Sequence, residues 1–180
     1  MSYLFSNGRE WEIMVKVYID VDNVIRDLDI PIFGERAPVW YNDVRGMKFV
    51  DYVTKNRRKL LKDTPECEYA EPLKEWIKVV GTAGLAFLSC QPDEWLFYTE
   101  RWLRKRFPKM VYIFTKRPED KLIIVESQKG ILIDDYPLYK DYRRIAVVDR
   151  PYNQHVKANC RIKGPMEFVL LLAKCRWDNE

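Results

Sequence analysis

Five short apolar runs, rich in β-branched and aromatic residues, punctuate the chain: Val15–Ile19 (VKVYI), Leu85–Leu88 (LAFL), Val111–Phe114 (VYIF), Ile131–Ile133 (ILI) and Ile145–Val148 (IAVV). Near-continuous runs of this kind are the pattern of strands buried on both faces. Between the second and third lies PDEWLFYTERWLRKRF (Pro92–Phe107), with acids in its first turn and bases in its last, as the helix dipole favours. Trp95, Leu96, Thr99, Trp102 and Leu103 share one helical face there. Gly164-Pro165 opens a second helix, with Met166, Val169, Leu170 and Ala173 expected on its buried stripe. Strands alternating with helices predict an α/β fold around a mostly parallel sheet.

The stretch between the first two strands differs. It mixes aromatics (Phe33, Trp40, Tyr41, Phe49, Tyr52, Tyr69, Trp76) with helix-compatible charge (VDYVTKNRRKLLKD) and is too long for an ordinary connection. It reads as a mainly helical cap, residues 28–76, inserted in a core of residues 1–27 and 77–180.

Composition sets outer limits. At 180 residues and 47% apolar, the chain is long enough for one domain with a real core. A single histidine, His155, excludes a multi-histidine metal site within one chain. Cys67, Cys90, Cys160 and Cys175 are widely separated with no CxxC, which excludes a zinc ribbon or thioredoxin-type motif and reads as four reduced thiols. Residues 1–14 show no basic region followed by a sustained apolar run, and Phe168–Ala173 is far too short to span a bilayer. A soluble, cytoplasmic protein without a membrane partner is the expectation.

The polar residues that close the strands converge. Asp20-Val21-Asp22 follows the first strand, Ser89 the second, Thr115-Lys116 the third and Asp134-Asp135 the fourth. Open parallel sheets bind ligands at the carboxyl ends of their strands. Four carboxylates gathered there repel one another unless a cation or protons compensate. An all-oxygen donor set suits Mg²⁺, and a carboxylate nucleophile with a lysine beside it suits phosphoryl transfer. A lone DxD is common, and Asp-Asp before Tyr136-Pro137 also fits a simple turn. The joint placement at successive strand ends makes the case for a site.

DVDNVIRD (Asp20–Asp27) resembles the first motif of haloacid dehalogenase-superfamily phosphatases, in the DxDGVLAD form of the 5′(3′)-deoxyribonucleotidases. FLSCQP (Phe87–Pro92) is similar to that family's FICTSP-like second motif, and RWLRKRFP (Arg101–Pro108) to its WVEKHFG-like helix end. FTKRPEDK (Phe114–Lys121) is similar to LTRDK, GILIDDYP (Gly130–Pro137) to LLIDDRP, and VVDRPYNQ (Val147–Gln154) to LFDxPYNR. The pieces occur in the family's order.

The resemblance implies a Rossmann-like core with a small cap and a Mg²⁺-dependent phosphomonoesterase working through an aspartyl-phosphate. Asp20 is then the nucleophile and Asp22 the acid and base. Ser89, the Cys90 amide and Lys121 bind phosphate, with Lys116 a rival for the lysine role. Asp20, the Asp22 carbonyl, Asp134 and Asp135 hold Mg²⁺, and which of the last two touches it directly stays open. The implied substrate is a small phosphorylated molecule, a nucleoside monophosphate with deoxy forms preferred. Other small phosphoesters, or a phosphorylated nucleic-acid end, are the alternatives. A non-catalytic nucleic-acid-binding protein is a further rival, and a homodimer is left open. Asn23 stands where the family has glycine, Leu28 where it has an aromatic, and Cys90-Gln91 where it has serine and proline.

KNRRKLLK (Lys55–Lys62) carries charge that could attract a phosphate or a polynucleotide, but such a run, like the basic helix end at Arg101–Lys109, is usually a solvated face. The net charge of +4 divides into −2 for residues 1–27, zero for 28–75 and +6 for 76–180. A neutral cap points away from polynucleotide binding and toward a small substrate.

Overall fold

The computed structural model describes residues 17–177. Six parallel strands form one sheet: β1 (Val17–Ile19), β4 (Leu85–Cys90), β5 (Val111–Thr115), β6 (Ile131–Asp134), β7 (Ile145–Val148) and β8 (Cys160–Ile162). Their spatial order is β5-β4-β1-β6-β7-β8. The chain builds outward from β1 to β4 and β5, then returns to lay β6 on the other side of β1. Such a reversal opens a crevice at the carboxyl ends of the strands it separates. The fold is α/β and Rossmann-like, with helices on both faces.

Strand alternation sorts the core into two layers. Val17, Ile19, Leu85, Phe87, Ile133, Ala146 and Val148 point to one face, and Tyr18, Ala86, Leu88, Leu132, Ile145 and Val147 to the other. Helices α3 (Ala70–Val80), α4 (Asp93–Arg106) and α6 (Pro165–Trp177) cover the first face through residues such as Leu73, Trp102, Leu103 and Phe168. Helix α5 (Pro118–Ser127) covers the second through Val125.

Several expectations shift. Strand β4 runs two residues further than its apolar core, so Ser89 and Cys90 lie within the strand, because Gln91 and Thr115 extend the ladder with β5. The first strand's expected start at residues 15–16 lies outside the described residues. Strand β8 and helix α5 were not expected. The buried stripe of α6 is also rotated. Met166 and Leu170 are 71% and 60% exposed, whereas Phe168 and Leu172 are buried. MEFVLLLA is apolar nearly all round, so its periodicity does not choose a face.

Between β1 and α3 the chain forms α1 (Asp29–Phe33), a two-stranded hairpin of β2 (Asp43–Val44) and β3 (Met47–Lys48), and α2 (Phe49–Lys62). The hairpin turn is Arg45-Gly46 with φ of 52° and 74°, the double positive φ of a type I′ turn. Leu28, Ile32, Val44, Val53, Leu60 and Leu61 form a separate small core that closes on Trp95 of α4. Helix α3, by contrast, packs with the sheet residues. No helix among the described residues is long and apolar enough to cross a membrane.

Candidate active site

Asp20 is the first residue past β1, and its amide donates to the Ile133 carbonyl at 2.9 Å, prolonging the β1–β6 ladder to the crevice. Beyond it the chain turns sharply. Asn23 has φ 57°, its amide donates to the Arg26 carbonyl at 2.6 Å, and its side chain binds Asp29 Oδ1 (3.0 Å) and the Leu28 amide (3.1 Å). Asparagine tolerates this left-handed backbone better than most residues. Buried Arg150, two residues past the end of β7, donates to the Asn23 carbonyl at 2.5 and 3.1 Å and to Glu68 Oε1 at 2.6 Å. The turn that carries the DxD is thus fastened from both directions.

Lys121 lies one turn into α5 and is buried. Its ammonium donates to Asp20 Oδ1 and Asp134 Oδ2, both at 2.8 Å. Asp134 also accepts from Tyr139 Oη at 2.7 Å and from the Tyr136 amide at 2.9 Å, so both of its oxygens are engaged. Asp135 accepts from Tyr152 through Oδ2. The carboxylates of Asp20, Asp134 and Asp135 bring an oxygen each to within 4.8 Å of one another. No hydrogen bond among the described residues occupies Asp20 Oδ2 or Asp135 Oδ1.

The electrostatics follow from burial and crowding. Burial raises the Asp20 carboxyl, and Asp134 and Asp22 add to the rise while Lys121 opposes it; the balance is pushed up to about 7. Burial, then the Asp134 and Asp20 charges, hold Asp135 well above the carboxylate range. Burial pulls the Lys121 ammonium down, but Asp134 and Asp20 outweigh it and keep it above its ordinary value. Three ionised carboxylates against one ammonium would leave an excess of negative charge in a buried space, which the raised Asp20 and Asp135 carboxyls relieve by holding protons. A hard divalent cation meets that excess with oxygen donors alone, and the group fits Mg²⁺ on this ground. Asp20 and Asp135 have oxygens to give it, while Asp134 is occupied by its neighbours.

The remaining candidates take distinct places. Asp22 lies outside the carboxylate trio. Its Oδ1 pairs with Arg26 at 2.7 Å, and its Oδ2 accepts from Gln91 Nε2 at 2.7 Å. The same Gln91 nitrogen donates to Ser89 Oγ at 3.0 Å, and Thr99 Oγ1 donates to Gln91 Oε1 at 2.9 Å, which fixes the orientation of the amide. Cys90 lines the cleft as a thiol, since burial raises it above its ordinary value. Lys116 stands at the rim in an exposed ion pair with Asp93. Asp27 accepts from the Ile30 amide in the first turn of α1 and pairs with Arg36.

Gln91, Arg26, Tyr139 and Tyr152 were not singled out as site residues. Position is their signal: Arg26 and Tyr139 lie four residues beyond Asp22 and Asp135, Gln91 two beyond Ser89, and Tyr152 within the PYNQ segment. Above the carboxylates opens a cleft of about 450 Å³, walled by Trp40, Tyr41, Phe49 and Trp95. Trp40 packs edge-on against Tyr136 and Tyr152, and its buried Nε1 has no hydrogen-bond partner among the described residues. Tyr69 and Trp76 pack with the sheet core instead.

No protein-family model matches the chain, and no curated protein matches it in sequence. Among solved structures it is similar to a haloacid dehalogenase-like family hydrolase from Xanthomonas campestris. The two share 12% identity over 90% of this chain and 96% of that one, with a TM-score of 0.47. A likeness at that level assigns neither activity nor substrate.

Proposed function

We propose that the chain is a Mg²⁺-dependent phosphomonoesterase of the haloacid dehalogenase kind. The observation that carries this reading is the buried Asp20–Lys121–Asp134 bridge beside Asp135 at the switch point of the sheet. Asp20 offers a carboxylate oxygen for attack on phosphorus. The new bond joins Asp20 to phosphorus, the ester P–O bond breaks, and Asp22 supplies the proton to the leaving oxygen. A water then attacks the aspartyl-phosphate and gives its proton to Asp22, which restores Asp20 and releases phosphate. Lys121 and the Ser89 hydroxyl face the phosphoryl oxygens, with the Cys90 amide beside them. Asp20, Asp135 and the Asp22 carbonyl would hold Mg²⁺, with Asp134 bracing the lysine, and the ion would supply charge neutralisation on the transferred group.

The cap, residues 28–76, is proposed to select the substrate. The aromatic walls and the cleft volume support a nucleoside monophosphate, with deoxy forms preferred as the motif resemblance implies. The test is phosphate release from a panel of ribo- and deoxynucleotides and sugar phosphates, with and without Mg²⁺. Metal-dependent release is expected, strongest for deoxynucleotides, and Asp20→Asn should lose about a thousandfold or more while keeping its fold. No release from any monoester, or an unimpaired Asp20→Asn, overturns the proposal.

A further inference from the structure

Helices α2 and α4 lie side by side with their starts and ends in step. Phe49 meets Trp95 near the two starts, and Trp95 Nε1 donates to Thr54 Oγ1 at 2.7 Å. Near the ends, Lys62 faces Arg101 and Lys105 across a small hollow of about 110 Å³. The residues bordering the furrow repeat at helical spacing. Past the exposed acids Asp51 and Glu94 at the cleft end, Lys55, Arg58 and Lys62 follow one another along α2, and Phe97, Arg101 and Lys105 along α4. All six are exposed, Phe97 by 64%.

Charge balance here differs from the rest of the surface. Arg104 is tied to Glu100 and Arg106 to Glu66. Among the described residues, Lys55, Arg58, Lys62, Arg101 and Lys105 have no ion pair. Asp63 is the one carboxylate lining the hollow. Arg106 lies over the Trp102 ring at 4.2 Å, and its buried Nη1 has no hydrogen-bond partner among the described residues. The cap is neutral by composition, but folding places three of its cations, Lys55, Arg58 and Lys62, along one edge of α2 beside the basic end of α4.

We infer that this furrow binds the phosphodiester backbone of a single-stranded nucleic acid whose terminal phosphate lies in the Asp20 cleft. Cations that track a backbone, with an exposed aromatic on which a base stacks, are the two elements of sequence-independent single-strand binding. From Trp95 at the cleft to Lys105 is about 15 Å along the helix, the reach of a few nucleotides. The cleft holds the terminal nucleotide and the furrow the phosphates that follow. The assignment of the terminal phosphate rests on the phosphatase reading; the binding furrow does not.

The test uses the full chain and a fluorescent oligothymidylate with a 5′- or 3′-phosphate, followed by anisotropy from about 50 to 200 mM salt. Affinity should fall steeply with salt. The triple variant Lys62→Glu, Arg101→Glu, Lys105→Glu should bind about tenfold more weakly or worse, with a log–log salt slope shallower by about 2. Phe97→Ala should cost about fivefold or more by losing a stacked base. Both variants should hydrolyse the mononucleotide at the wild-type rate.

Salt-independent binding, unchanged affinity in the triple variant, or stronger competition by inorganic polyphosphate than by oligothymidylate at equal phosphate overturns the furrow. If no monoester is hydrolysed while the charge-reversed variant still loses binding, the phosphatase reading fails and the furrow stands.

Discussion

Replacing Lys121 by methionine keeps the length and packing of the side chain but removes the ammonium from between Asp20 and Asp134. Two hydrogen bonds of 2.8 Å to carboxylates are lost in a buried setting. Each is worth about 1.5–3 kcal/mol. Relief of the buried lysine offsets part of that sum, so a net loss of about 3–5 kcal/mol is expected at pH 8, the range for breaking a buried pair from one side. The loss depends on pH with a definite sign. Asp20 is pushed up to about 7 in the folded protein against 3.8 unfolded, so the folded state binds the proton more tightly. Its favourable contribution is complete below 3.8 and disappears as the pH rises through about 7. Without Lys121 that window extends upward. At pH 5 a protonated Asp20 tolerates the missing cation, and the cost should be less than about half its pH 8 value. Urea unfolding of both proteins at pH 5 and 8, in the presence of a chelator, measures it. A difference under about 1 kcal/mol at pH 8, or an equal difference at both pH values, would refute the reasoning.

Mg²⁺ should raise the melting temperature more at pH 8 than at pH 5.5, because Asp20 must give up its proton to accept the ion. Asp135→Asn should remove most of that increment; calorimetric scans in which it persists, or in which it shrinks with rising pH, count against the proposed ligands. At the DxD turn, Asn23→Gly should cost about 1–2 kcal/mol for two buried hydrogen bonds. Asn23→Ala should cost about 1 kcal/mol more, because φ is 57° there. Denaturation midpoints in the opposite order would contradict this account of the turn.

The strand ends were legible in the sequence because a parallel sheet gathers its carboxyl ends on one edge, whatever the order of its strands. Asp20, Asp134 and Asp135 meet for that reason. Which lysine joins them was not legible. Lys116 and Lys121 are five residues apart, and only the path from β5 into α5 leaves the first at the rim and buries the second. Helix α5 itself had local signs, proline at its first position and acids in its first turn. Its LIIV core reads equally as a strand, and Ile123 is 64% exposed while Val125 is fully buried. Gln91 meets Asp22 across 69 residues of chain, a contact that belongs to the packing of β4 against β1. The cap charges show the same limit, since a sum over sequence is blind to which edge of a helix carries them.

The central place of β1 sets the order in which this protein is assembled. Its partners β4 and β6 both come later in the chain, and the lysine that binds Asp20 follows it by 101 residues. At synthesis rates of about 5–20 residues per second, Asp20 waits roughly 5–20 s for its counter-charge. Until β4 is made VYI has neither neighbour, the condition in which an apolar strand pairs with the wrong one. The carboxylate cluster is therefore completed only when β6 docks on the open edge of β1, after β4 and β5 have been made and before β7 and β8.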